Sequence, residues 1–263
     1  MGNFVVISKE LHNGKFWVRP KNLKFAEKNI LVPIFLTELG RAVTAFPLVF
    51  VKYEENFIFS ALLGLAPGEN LFLTEDGKWL GNYIPALIRA YPFRLVRANN
   101  DQLTLAIDED YITEKEGVPF FEGENLYKET ENILKFLLEV EKGRVLTVNA
   151  CEKLSELELI EPWNLRIKTE GGEKSIEGIF KINENKLVSL SDEDFISLRK
   201  IGALQMIYGQ LFSMGNLQIL ARLAQIKYGE PKKEEKPEKK QKVTSIDDVD
   251  VEELFKNLKF PES

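Results

Sequence analysis

From Ile201 to Ala221 the chain carries no charged residue, a run long enough to cross a bilayer if it were one helix. It therefore decides between a membrane protein and a water-borne one. The run contains Gln205, Gln210, Ser213, Asn216 and Gln218, with Gly202, Gly209 and Gly215 between them. Amides and hydroxyls are costly in hydrocarbon, and glycines weaken a helix. We expect a buried helix, broken near Gly215, and no transmembrane span.

A chain of 263 residues, 44% hydrophobic with 18 Phe, can bury a stable core without disulfides or a structural metal, and we expect a single core. Its net charge of -6 and pI of about 5.2 argue against nucleic acid as a partner, because such binding depends on neutralising phosphates. The single cysteine, Cys151, rules out an intramolecular disulfide and fits a reducing compartment. Lys9, Glu10, His12 and Lys15 interrupt the N-terminus before any apolar signal region can form. Met1-Gly2 opens like a myristoylation site, but Val6 stands where Ser or Thr is needed. The expected location is the cytoplasm.

Patterning gives the elements. Val5–Ile7 and Phe16–Val18 flank an Asn13-Gly14 turn signal and read as a hairpin. Pro47–Tyr53 and Phe57–Leu65 read as strands, Glu75-Asp76-Gly77 as a tight turn, and Tyr83–Tyr91 as a helix with Pro85 in its first turn. Phe93–Arg97 and Leu103–Ile107 alternate on either side of Asn99–Gln102, as antiparallel strands do. Leu126–Lys142 has helical spacing, with Gly143 as a C-terminal cap, and a second helix starts near Thr147. The segments Leu165–Thr169, Ser175–Ile182 and Leu187–Leu190 read as a meander, while Ser191 and Asp194 form a capping pair for the next helix. The predicted class is α+β: antiparallel hairpins and a meander packed with helices.

Composition changes at Gly229. Residues Glu230–Lys242 hold six basic and four acidic residues and no large apolar one, so they cannot bury enough surface to offset the entropy of ordering. The predicted organisation is a globular domain over 1–228, a disordered charged linker over 229–243 and a short amphipathic helix over 244–263. In that helix Val251, Leu254, Phe255 and Leu258 fall at i, i+3, i+4 and i+7, a stripe that suits docking to a protein partner.

The chemical motifs are mostly excluded. With His12 as the only histidine, no metal site needing two imidazoles can form within one chain, and no metal or cofactor is expected. No G-x-S-x-G elbow, phosphate loop or dinucleotide fingerprint occurs, so no catalytic residue is assigned. His12 reads as a turn residue, Cys151 as core, and Asp108-Glu109-Asp110 as a solvated turn. The richest segment is Gly64–Leu95, where Asn70, Asp76, Trp79, Tyr83, Arg89 and Arg94 interleave polar groups with aromatics. These are the candidate ligand-binding residues, with Arg89 and Arg94 as anion clamps.

That segment also carries a resemblance. Leu62-Leu63-Gly64-Leu65, Gly68-Glu69-Asn70-Leu71-Phe72, Asp76-Gly77-Lys78-Trp79 and the run from Tyr83 to Leu95 resemble the SapC family. The likeness extends over about Phe4–Tyr228, through Phe120-Phe121 and Leu187–Leu211, and leaves out the charged tail. It implies a bacterial protein linked by name to surface-layer proteins, with no reaction to carry over. Members are sometimes labelled peptide-transporter permeases, a label at odds with a chain that has no series of apolar spans. The expected function is an accessory role in surface-layer or exported-protein biogenesis, with a peptide or surface-layer protein as partner. The alternative is an enzyme modifying a peptide or carbohydrate at a pocket in residues 64–95.

Overall fold

The computed structural model describes residues 2–97, 102–169, 172–228 and 242–245. The expected linker lies mostly outside these residues. So do the docking positions Val251, Leu254, Phe255 and Leu258.

In chain order the main elements are β1 (Phe4–Val6), α1 (Lys9–His12), β2 (Leu31–Pro33), α2 (Leu39–Ala42), β3 (Leu48–Tyr53), β4 (Asn56–Leu62), α3 (Ala86–Ala90), β5 (Phe93–Arg97) and β6 (Leu103–Asp108). They are followed by α4 (Lys128–Glu156), β7 (Ile160–Pro162), β8 (Leu165–Thr169), β9 (Gly172–Glu177), β10 (Ile179–Ile182), α5 (Glu184–Val188), α6 (Asp192–Lys200), α7 (Ala203–Ser213), α8 (Leu217–Tyr228) and β11 (Lys242–Ser245). An antiparallel sheet in the order β7-β10-β3-β4-β2 forms the centre, and a second joins β1, β6 and β5. A third places β9 between antiparallel β8 and parallel β11. The class is α+β, as the pattern predicts.

The hydrophobic residues form two clusters. One surrounds the central sheet, with Phe46, Phe50, Phe59 and Phe72 buried in it. The other lies under the β1-β6-β5 sheet around Trp17, Phe93 and Phe120, and half-buried Phe136 on α4 packs against both. Trp17 Nε1 donates to Thr130 Oγ1 at 3.0 Å, so its polar edge is satisfied within the apolar cluster.

Three local expectations are corrected. Gly143 does not end a helix: α4 is continuous, and a Cβ at Gly143 would stand 2.2 Å from Thr37 Oγ1. The glycine lets α4 cross closely over the Phe35–Glu38 turn, where Thr147 Oγ1 accepts from Leu36 N at 2.9 Å. The meander keeps its first antiparallel pair, β8 with β9, but not its third strand. Gly178, with φ of 77°, separates β9 from β10, which joins the central sheet, and Asn183 caps α5 by accepting from Lys186 N, so Leu187 is helical. At the N-terminus, Ser8 caps α1 between the two expected strands. β1 then pairs with β6, while Phe16–Trp17 pairs with Ile112–Thr113 and Val118–Pro119.

The uncharged run is two helices, α7 and α8, joined by a 3-10 turn at Met214–Asn216. Its polar side chains fasten it to the sheet. Gln210 accepts from Ile182 N at 3.1 Å and donates to the Leu48 carbonyl, and Ser213 Oγ accepts from Leu48 N at 2.9 Å. Asn216 donates to the carbonyls of Val43 and Phe46 at 2.8 and 2.9 Å. Three of the groups that make a bilayer span costly are thus satisfied by backbone partners, and Gln205 and Gln218 are exposed. Among the described residues, no helix is long and apolar enough to cross a membrane.

Candidate functional site

A buried polar cluster centres on Glu38, in the turn leading into α2. Its side chain is buried. Oε2 accepts from the Tyr83 hydroxyl at 2.7 Å and from Ala86 N at 2.8 Å, while Oε1 accepts from Phe35 N at 3.4 Å. Burial raises the carboxyl's pKa, opposed by these hydrogen bonds and by the charge of Arg89. Arg89 Nη2 donates to the Tyr83 hydroxyl at 3.1 Å, and its guanidinium lies over the rings of Tyr83 and Phe136. Burial, then the bond to Glu38, pushes the Tyr83 phenol up to about 12. The result is a relay from an exposed guanidinium through a phenol to a buried carboxylate. Arg41, on α2, also approaches the Tyr83 ring, at 6.0 Å.

The six candidate residues do not share one place. Tyr83 and Trp79 both pack against Phe46, with ring centroids 6.2 Å away in each case, and Tyr83 carries Arg89 with it. Asn70 is buried and fully used: its amide donates to the Ala26 carbonyl and its oxygen accepts from Phe72 N. Asp76 is exposed in its turn, held to about 2 by hydrogen bonds from Lys78 and Thr74. Arg94 lies apart on β5, its guanidinium 3.9 Å from the Phe4 ring centroid and its Nε buried without a hydrogen-bond partner among the described residues. A shallow depression of about 250 Å³ lined by Glu27, Asn70, Leu73, Thr74, Glu75 and Lys227 lies beside the 69–75 loop. Glu38 escapes sequence reasoning because the partners of its Oε2 are 45 and 48 residues away.

Asp108, His12 and Cys151 are also buried. Asp108 is buried and accepts from the Tyr91 hydroxyl at 2.7 Å, which corrects its reading as part of a solvated turn; Glu109 and Asp110 are exposed. His12 is buried rather than a surface turn residue, its ring edge-on to Phe120 at 5.0 Å, and burial lowers its pKa. Cys151 lies in the core, as expected, against Met206. Among the described residues no group of three or more His, Cys, Asp or Glu is placed to hold a metal.

Large apolar side chains do reach solvent. Phe212 is 74% exposed and stacks on Tyr208 along the outward face of α7, and Val188 is exposed at the end of α5. Comparison with curated proteins and with solved structures returned no match. The SapC family profile matches residues 7–220, which takes in every element from α1 through α7 and the first turn of α8, and stops short of the charged tail. The chain belongs to the SapC family.

Proposed function

We propose that the protein is a cytoplasmic binding or accessory factor in the biogenesis of surface-layer or exported proteins, docking a protein partner through the C-terminal stripe Val251, Leu254, Phe255 and Leu258. The observation that carries this reading is the exposure of large aromatics on α7. Asn70 and Asp76 are engaged within the chain, whereas Phe212 and Tyr208 stand in solvent. Exposed aromatics on a rigid helix suit protein contact. The test is affinity capture from the native cell with the full chain and its Phe255→Glu variant at equal loading. A partner retained by the first and lost by the second supports the reading, and identical capture by both opposes it.

A second reading is favoured by Glu38. A buried carboxyl with a raised pKa, hydrogen-bonded to a phenol that an arginine also contacts, is the kind of group used for acid-base work on a peptide or carbohydrate. Replacing Arg89 by Ala separates the two. Loss of cellular function with the fold and partner capture intact favours the enzyme.

A further inference from the structure

Helix α7 turns one stripe outward. Gln205, Tyr208 and Phe212 are exposed along it, the two rings stacked 6.1 Å apart at 23°. Its opposite face is held by Gln210 and Ser213, and Leu39 of α2 packs at Gly209. The stripe is therefore presented on a fixed support.

Charge along this stretch of the chain is one-sided. From Phe195 to Tyr228 there is no acidic residue and there are four basic ones, Arg199, Lys200, Arg222 and Lys227. Residues 246–263 hold six acidic residues and two basic ones, five of the acids falling in the first eight positions. Opposite charge and matching apolar stripes make the tail complementary to α7.

Chain geometry allows the two to meet. In β11, Ser245 lies opposite Glu177, and Ile182, five residues beyond Glu177, is bonded to Gln210 of α7. Five residues of chain reach at most about 17 Å, and adjacent strands lie about 5 Å apart, so the tail starts within roughly 22 Å of that contact on α7. Eighteen residues in helical form span about 27 Å, enough to cover the stripe.

We propose that residues 246–263 dock in cis on the outward face of α7, their apolar stripe on Tyr208 and Phe212 and their acidic start toward the basic residues flanking that helix. Resting on the partner-docking reading, this makes the tail a guarded element: a partner competes with α7 for the same apolar stripe. The free energy of docking is offset by little loss of freedom, since the tether keeps the local concentration high.

The test uses the full chain with two introduced cysteines, Gln205→Cys on the stripe and Asn257→Cys in the tail, the native Cys151 being buried. A second pair, Glu122→Cys with Asn257→Cys, places the thiol on a distant exposed hairpin. Cis docking predicts that the first pair forms a disulfide within the monomer about tenfold faster than the second, independent of protein concentration. It also predicts that Phe255→Glu removes the difference. Equal rates for both pairs, insensitivity to Phe255→Glu, or a disulfide formed only between chains would overturn it. The two proposals fail separately. Equal rates with Phe255-dependent partner capture sink cis docking alone, and fast cross-linking with Phe255-independent capture sinks the partner reading alone.

Discussion

The Tyr83 hydroxyl donates to Glu38 Oε2 at 2.7 Å inside the fold, tying the turn that opens α2 to the segment that opens α3. Tyr83→Phe leaves that oxygen with Ala86 N as its remaining donor. A loss of about 1–3 kcal/mol is expected, measured as a lower urea midpoint with unchanged slope.

Glu38 also sets a pH dependence. Its folded pKa is raised by burial above the ordinary value of 4.5, so the unfolded chain releases this proton first as pH rises. The stability it contributes is fully present below that value and is lost as pH climbs through the folded pKa. Glu38→Gln has no proton to lose. Chemical denaturation between pH 4 and pH 8 should show a decline in the native protein that the variant lacks.

Two glycines make opposite predictions. A Cβ at Gly64 would stand 2.0 Å from the Glu69 carbonyl oxygen, a backbone atom that cannot step aside, so Gly64→Ala should cost about 1–3 kcal/mol. Around Gly215 nothing lies within 4 Å, and Gly215→Ala should stabilise by about 0.4–1 kcal/mol through the unfolded chain. Thermal unfolding of the two variants should shift in opposite directions.

Ser213 bridges helix and sheet by accepting from Leu48 N and donating to the Gln210 carbonyl at 2.6 Å. Ser213→Ala leaves a buried backbone donor without its partner. The expected cost is about 1–3 kcal/mol in the denaturant midpoint.

Burial pushes the Cys151 thiol up to about 12, so little thiolate forms at neutral pH. A disulfide reagent at pH 8 should leave the folded protein unmodified and titrate one thiol after unfolding.

The sequence was most legible where local pattern and tertiary role coincide. Leu48–Tyr53 with Asn56–Leu62, and Phe93–Arg97 with Leu103–Asp108, alternate and pair as period-2 strands should. Ser191 accepts from Asp194 N, as the capping spacing requires, and the uncharged run breaks at Met214–Asn216 beside Gly215. Legibility failed where a distant contact reassigned a local signal. Gly143 reads as a helix end until Thr37 is seen against it, and Leu187 reads as a strand until Asn183 is seen capping a turn of helix. Within the candidate site, Tyr83 and Arg89 were legible as an aromatic and a cation near each other. Glu38 was not, because only the fold brings it beneath them.

Fold, α7 stripe and tail docking all rest on the run after Ile201 being held on the central sheet by Gln210, Ser213 and Asn216. Hydrogen exchange on the intact protein in detergent-free buffer tests this most directly. Amides of Ala203–Ser213 should exchange as slowly as those of β3 and β4. Rapid exchange in that helix, slowed only when detergent or lipid vesicles are added, would contradict it.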